Sequence, residues 1–246
     1  MRRLLPGLQY ILVTIYLFSC KGGQEIVTPC MPYSKPDYRI KEIITLQNGE
    51  TSKSEYFYDT LNRIQRRNDS GEYYFSVIWK YTNEMICLLR QDSSVQSYFN
   101  IDSNGYAITP SIGHYIWEYD SEGYLLSQSE SWPSLGTQHD IYSYTCWNND
   151  KIASDEVDVY GNKTGGGITT NEFYVEKLNT VGNENIGIAY FGKQNNCLIK
   201  TSYVTFQGNI DTLAYYTYEF DSIGRVIKEI KTKSGNGPVT RIFKYY

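Results

Sequence analysis

The feature that most restricts what this chain can fold into is a phrase it repeats: aromatic, any residue, aromatic, Asp, two residues, Gly, a polar residue, an apolar residue. Copies run from Trp117 to Leu125 and from Tyr218 to Val226. A third, Tyr56 to Ile64, carries Asn62 in place of the glycine, and a fourth, Phe99 to Ala107, has Ile101 in the second aromatic slot. Asp opens a turn because its carboxylate accepts backbone N–H groups two residues on; Gly or Asn closes it because that position takes a left-handed backbone. The turn-forming residues predicted in this way are Asp59, Asp102, Gly105, Asp120, Gly123, Asp221 and Gly224. Each copy is therefore expected to be a β-hairpin whose arms alternate between two faces. One hairpin cannot bury its own apolar face, so a series of them must stack. The expected fold is all-β, a single antiparallel meander of about a dozen or more strands, strongly twisted and curling into a partly open barrel, because flat sheets of that size are rare.

Weaker copies keep the logic. Trp79-Lys80-Tyr81 is followed by a turn one residue shorter, and Tyr144 to Ile152 places Cys146 in the second aromatic slot and Asp150 where glycine would stand. Phe243-Lys244-Tyr245 reads as a further first arm, and Asn48-Gly49 is the strongest two-residue hairpin signal in the chain. After Trp132-Pro133 the rhythm loosens. Gly161 to Gly167 holds four glycines and reads as a flexible crossing, Phe173 to Val175 as a short strand, and Asn179 to Phe191 as a short helix or an irregular excursion. Tyrosine is 25 of 246 residues and concentrates in the strand arms. Its ring suits a half-buried pleated surface with the hydroxyl left in water; the alternative is an aromatic face that stacks sugars.

Residues 1–19 read as a targeting segment, with Arg2 and Arg3 before an apolar run from Tyr10 to Phe18 that is far short of the ~20 residues of a spanning helix. Leu17-Phe18-Ser19-Cys20 resembles a bacterial lipobox, which implies acylation of Cys20; residues 20–37 then form a tether and residues 38–246 the β domain. Lys21-Gly22-Gly23 lacks the Asp that retains some lipoproteins at the inner membrane, so an outer-membrane lipoprotein is expected. Removing Arg2 and Arg3 takes the formal charge from −4 to −6, a mild acidity that disfavours nucleic acid and anionic lipid as partners. With Cys20 assigned to lipid, Cys30, Cys87, Cys146 and Cys197 are too widely spaced for a zinc site. Buried thiols are expected over disulfides, Cys87 and Cys146 lying in apolar strand patterns.

Residues that could carry chemistry are few. His114 and His139 lack a sequence-level partner, and the nucleophile-elbow pattern is absent. Gly187 to Gln194 matches phosphate-loop spacing up to Lys193 but has Gln194 where Ser or Thr holds magnesium. One aspartate per hairpin is far from the about six to eight oxygens calcium takes, so Asp59, Asp102, Asp120 and Asp221 read as turn caps. Asp155 and Asp158 fall on opposite faces of one strand, which nominates no glycosidase pair. No catalytic residue, metal or cofactor is expected.

The repeat resembles the YD-repeat family of bacterial envelope and toxin-shell proteins, departing from its pattern at Asn62, Thr82 and Trp147. Taken with the lipobox-like stretch and the run Tyr190-Phe191-Gly192-Lys193 ahead of Asn195 to Lys200, it resembles gut-bacterial lipoproteins of unknown function with a porin-like β fold. The resemblance implies an envelope protein and transfers no catalytic residue. Three function classes follow: a non-enzymatic, lipid-anchored β platform binding a glycan or another envelope protein; an outer-membrane barrel; and an enzyme acting on polysaccharide. The first is the expectation, with Cys20 as the membrane contact.

Overall fold

The computed structural model describes residues 38–71, 74–110, 115–132, 134–193 and 195–246. The predicted signal segment, Cys20 with its expected lipid, the predicted tether and His114 lie outside the described residues. The chain forms one 16-stranded antiparallel sheet. Its first seven strands are β1 (Ile40–Gln47), β2 (Glu50–Tyr58), β3 (Ile64–Ser70), β4 (Phe75–Tyr81), β5 (Met85–Arg90), β6 (Val95–Ile101) and β7 (Ala107–Pro110). Then come β8 (Tyr115–Tyr119), β9 (Leu125–Trp132), β10 (Gly136–Thr145), β11 (Asn148–Val157) and β12 (Lys163–Leu178). A 3-10 turn (Ala189–Phe191) precedes β13 (Cys197–Phe206), β14 (Asn209–Phe220), β15 (Val226–Lys233) and β16 (Val239–Tyr245).

Neighbours in sequence pair with each other, and β1 pairs with β16, so the sheet curls into a nearly closed barrel whose one unsealed seam lies between β7 and β8. Aromatic rings bridge that seam. Tyr106 stacks on Tyr119 with centroids 5.0 Å apart, and Phe99 meets Trp117 at 6.0 Å. The period of two shows cleanly on β14, where Tyr215, Thr217 and Glu219 are exposed while Ala214, Tyr216, Tyr218 and Phe220 are covered.

Because every strand reverses the last, the turns divide between two rims. The turns at Asp59, Thr82, Asp102, Asp120 and Asp221 all stand on one, here the motif rim. There the Oδ1 of each aspartate accepts two backbone N–H groups at 2.9–3.1 Å: Leu61 and Arg63, Asn104 and Tyr106, Glu122 and Tyr124, Ile223 and Arg225. Gly105, Gly123, Gly224 and Asn62 close these turns at φ between 62° and 89°. In the shorter copy the Thr82 hydroxyl takes the carboxylate's place, accepting from Glu84 and Met85.

At this rim the strands separate, and tyrosine hydroxyls span the gap. β1 and β2 last pair at Glu42 and Glu55, β3 and β4 at Arg66 and Ile78, β15 and β16 at Lys228 and Ile242. Two residues beyond, the carbonyls of Ile40, Ile64 and Val226 accept the hydroxyls of Tyr58, Tyr81 and Tyr245 at 2.6, 2.7 and 2.7 Å. Tyr144 to Leu125 and Tyr218 to Ile199 repeat the latch at 3.0 and 2.9 Å. A buried carbonyl that leaves its ladder needs another donor, and the phenol supplies one. These hydroxyls are thus not left in water, as the sequence led one to expect. Tyr119 is the exception: its neighbour lies across the seam, and its buried hydroxyl has no hydrogen-bond partner among the described residues.

Four further expectations are corrected. The β10–β11 turn is the two-residue Cys146-Trp147, both at positive φ (52° and 58°), and no hairpin turns at Asp150. Cys146 is disulfide-bonded rather than a buried thiol; Cys87 and Cys197 are free, Cys87 only half-buried and Cys197 buried. Gly161 to Gly167 is no loose crossing. Asp158 opens a turn of the repeat's own kind, accepting from Tyr160 and Asn162 with Gly161 at φ 82°, and the remaining glycines lie within β12. Gly166 in particular sits where an added Cβ would fall 2.3 Å from the Ser154 carbonyl, so a close backbone approach explains it. Phe173 to Val175 belongs to that same 16-residue strand.

Candidate functional site

Residues 179–193 and 195–196, of the excursion between β12 and β13, turn into the barrel at the motif rim and plug it. The plug takes the N–H groups that the separating strands leave over: Ile40 donates to the Asn185 carbonyl (3.1 Å), Ile64 to Gly187 (3.1 Å) and Val226 to the Thr180 hydroxyl (3.0 Å). Each of these three residues therefore has its carbonyl on a tyrosine and its N–H on the plug. They are also among the most buried side chains in the molecule. Gly187 (φ 77°) is required at its contact, because a Cβ there would lie 2.6 Å from the Ile64 nitrogen. The plug's Tyr190 is buried, accepts a 2.7 Å bond from Trp79 Nε1 and packs with Phe191 and Phe99. The phosphate-loop-like spacing lies in this plug, where Gly187 to Lys193 form the 3-10 turn and its flanks.

Above the plug lies a cavity of about 660 Å³ inside the barrel. Asn183, Phe191 and Asn195 of the plug form its floor; Tyr142 of β10, Tyr216 of β14, Glu229 of β15 and Arg241 of β16 stand in its walls. Arg241 Nη1 meets Glu229 Oε1 at 3.0 Å, and Glu229 is only 7% exposed. Burial pushes the Glu229 carboxyl up, against the pull of Arg241. Lys231 stands 5.3 Å over the Tyr216 ring. On β10, Asp140 is buried and accepts both bonds from Gln138, while across the strand pair Glu130 is pushed up by burial and by the Asp140 charge. Burial and Asp140 raise Tyr142 to about 12. Tyr142 and Tyr216, unlike the latch tyrosines, donate their hydroxyls to no described residue. Asn195 is held through Oδ1 by the Asn149 backbone N–H at 2.6 Å.

The residues predicted to form turns gather on the motif rim, outside this cavity. Asp59 and Asp221 are each further bound by an arginine side chain, Arg63 and Arg225, at 2.7 Å. Burial raises both carboxyls, but N–H bonds and the guanidinium outweigh it and hold them below the usual range. Among the described residues no group of three His, Cys, Asp or Glu side chains is placed to hold a metal ion. On the outer face, Ser129, His139 and Asp155 lie side by side across β9, β10 and β11, with Ser129 Oγ 2.7 Å from His139 Nδ1. Asp155 pairs with Lys163, and the trio sits on a convex surface. Sequence reasoning did not find the cavity residues. The available signal was the asparagine density of Asn179, Asn183, Asn185, Asn195 and Asn196 in a stretch without periodicity.

No protein-family model matches the chain, and no curated protein matches it. Solved structures do. A porin-like protein from Bacteroides uniformis superposes with a TM-score of 0.60 at 14% identity, over 86% of this chain and 99% of that one. A porin-like protein from Bacteroides vulgatus gives 0.60 at 12% identity, over 85% of this chain and 99% of its own. At such identities the likeness is one of fold: this chain has a porin-like β-barrel architecture.

Proposed function

We propose that this chain is a non-enzymatic protein of the bacterial cell envelope, held at the outer membrane by lipid on Cys20, whose barrel stands in water as a binding platform. One observation carries the reading: the outer face bears charged side chains on β1, β2, β14, β15 and β16, toward the motif rim. Lys53 and Lys244 flank Glu42 at 3.1 and 2.6 Å across β1, β2 and β16, and Lys228 meets Glu219 at 2.7 Å across β14 and β15. The two ammonium groups hold Glu42 below the usual carboxylate range, so it stays ionised on that face. A transmembrane barrel needs an outward apolar band, in which a Lys or Arg costs from about 0–1 kcal/mol at the edges to about 2–4 kcal/mol at the midplane. The lipobox-like Leu17 to Cys20 supplies the anchor that makes insertion unnecessary. Support for a non-enzymatic role comes from the aspartates, which are engaged in turns, and from the cavity's acid, which is neutralised by Arg241.

A second reading, an outer-membrane barrel, draws on the porin-like fold of the neighbours. Labelling cells with an alkyne-tagged palmitate tests the first: incorporation into the wild-type chain and none into Cys20→Ala is expected. Equal labelling of both, or of neither, contradicts the anchor.

A further inference from the structure

We infer that the interior cavity is a binding site for a short, uncharged oligosaccharide. This goes beyond the envelope platform and does not depend on the lipid anchor. The volume, about 660 Å³, falls in the range of small-molecule sites, about 300–1,000 Å³. What selects the ligand is the state of the groups that face it.

The barrel's tyrosines do not all use their hydroxyls alike. Tyr58, Tyr81, Tyr144, Tyr218 and Tyr245 spend their hydroxyls on strand carbonyls. Tyr142 and Tyr216 line the cavity, and their hydroxyls reach no described residue. Two phenols that hold nothing together are available to a ligand, each with a ring for an apolar face and a hydroxyl for a polar edge. Asn195 adds a side-chain amide whose oxygen is fixed by the Asn149 N–H, which leaves its NH₂ as a donor toward the cavity. Glu229 and Arg241, paired at 3.0 Å, add an acceptor and a donor set, and Lys193 of the plug adds a further donor.

A sugar ring presents C–H faces to aromatic rings and hydroxyls to amides, carboxylates and guanidinium groups, which is the complement of this lining. A cationic ligand would meet Lys193 and Arg241, and an anionic one that drew Arg241 away would leave the buried Glu229 carboxylate uncompensated. An acyl chain would strand the Asn195 amide, the Tyr142 hydroxyl and Glu229 without water. Neither class uses what the cavity offers.

Saturation-transfer NMR on the purified full chain tests this, with maltotriose, mannotriose and xylotriose as probes and trigalacturonate and laurate as contrasts. Transfer to at least one of the three neutral trisaccharides is expected. Tyr142→Ala should weaken that binding about tenfold, the loss of one aromatic contact. Thr45→Trp, which fills the cavity from β1, should abolish it. Thermal melting of both variants shows that each is folded, and the second serves where the first is not. Transfer to no neutral trisaccharide, transfer to laurate or trigalacturonate alone, or saccharide binding undiminished in the folded variants overturns the assignment. Palmitate labelling of Cys20 is read separately, so a failure here does not pass for a failure of the anchor.

Discussion

Tyrosine hydroxyls decide stability in this protein one bond at a time. Tyr81→Phe removes the hydroxyl that donates to the Ile64 carbonyl where β3 and β4 have parted, so it should cost about 1–3 kcal/mol in urea unfolding. Tyr142→Phe removes a hydroxyl that bonds no described residue and should change stability by less than about 0.5 kcal/mol. Equal losses in the two variants would contradict the latch. The turn glycines differ in the same concrete way. A Cβ at Gly224 meets nothing within 4 Å, whereas at Gly123 it would fall 1.9 Å from the Tyr106 hydroxyl. Gly123→Ala should therefore lower the melting temperature more than Gly224→Ala, which bears only the left-handed backbone strain. The Asp-to-Gly turn spacing was legible in the sequence because it is local chemistry. The tyrosine latches were not: the partners are 17 to 19 residues away, and only the register brings them within reach.

At the scale of elements, the barrel depends on a segment that is neither strand nor helix of any length. Thr180, Asn185 and Gly187 of the plug satisfy the backbone of β1, β3 and β15 at once. Tyr190→Ala would empty the plug's aromatic centre beneath Trp79 and should cost about 3–5 kcal/mol by chemical denaturation, comparable to losing a core aromatic. A loss under about 1 kcal/mol would mean that the plug is decoration. Strands with strong alternation, such as β14, could be read from sequence directly. The plug could not, since its order comes from groups that other strands leave unpaired. Asp158 to Gly161 shows the opposite failure: the turn spacing is present, but Asp155 and Val157 stand where the repeat has aromatics, so the phrase hid its own turn. Cys146 misled for a related reason. An apolar pattern around it looks like a strand, while a two-residue turn at positive φ and a disulfide decide its place.

Across the whole molecule, burial raises the tyrosine hydroxyls together. Tyr245 and Tyr124 rise to about 12, and Tyr81, Tyr218 and Tyr190 rise further. A free tyrosine titrates near about 10, so above that pH the unfolded chain releases protons that the folded one retains. Stability should thus be full below about pH 10 and fall as pH rises through the folded values, visible as cooperative loss of the β signal together with phenolate absorbance. Tyrosines ionising near 10 with the fold intact would show that these hydroxyls are in water. The same molecule-wide alternation that buries them turns Thr217 and Glu219 outward beside Lys228, on the face that the proposed function places in water. Thr217→Cys carrying a nitroxide, in a Cys87→Ser background and with the protein bound to lipid vesicles, tests that placement most directly. The account predicts that a water-soluble nickel complex relaxes the label far more than dissolved oxygen does; relaxation dominated by oxygen would place the outer face in the bilayer and contradict it.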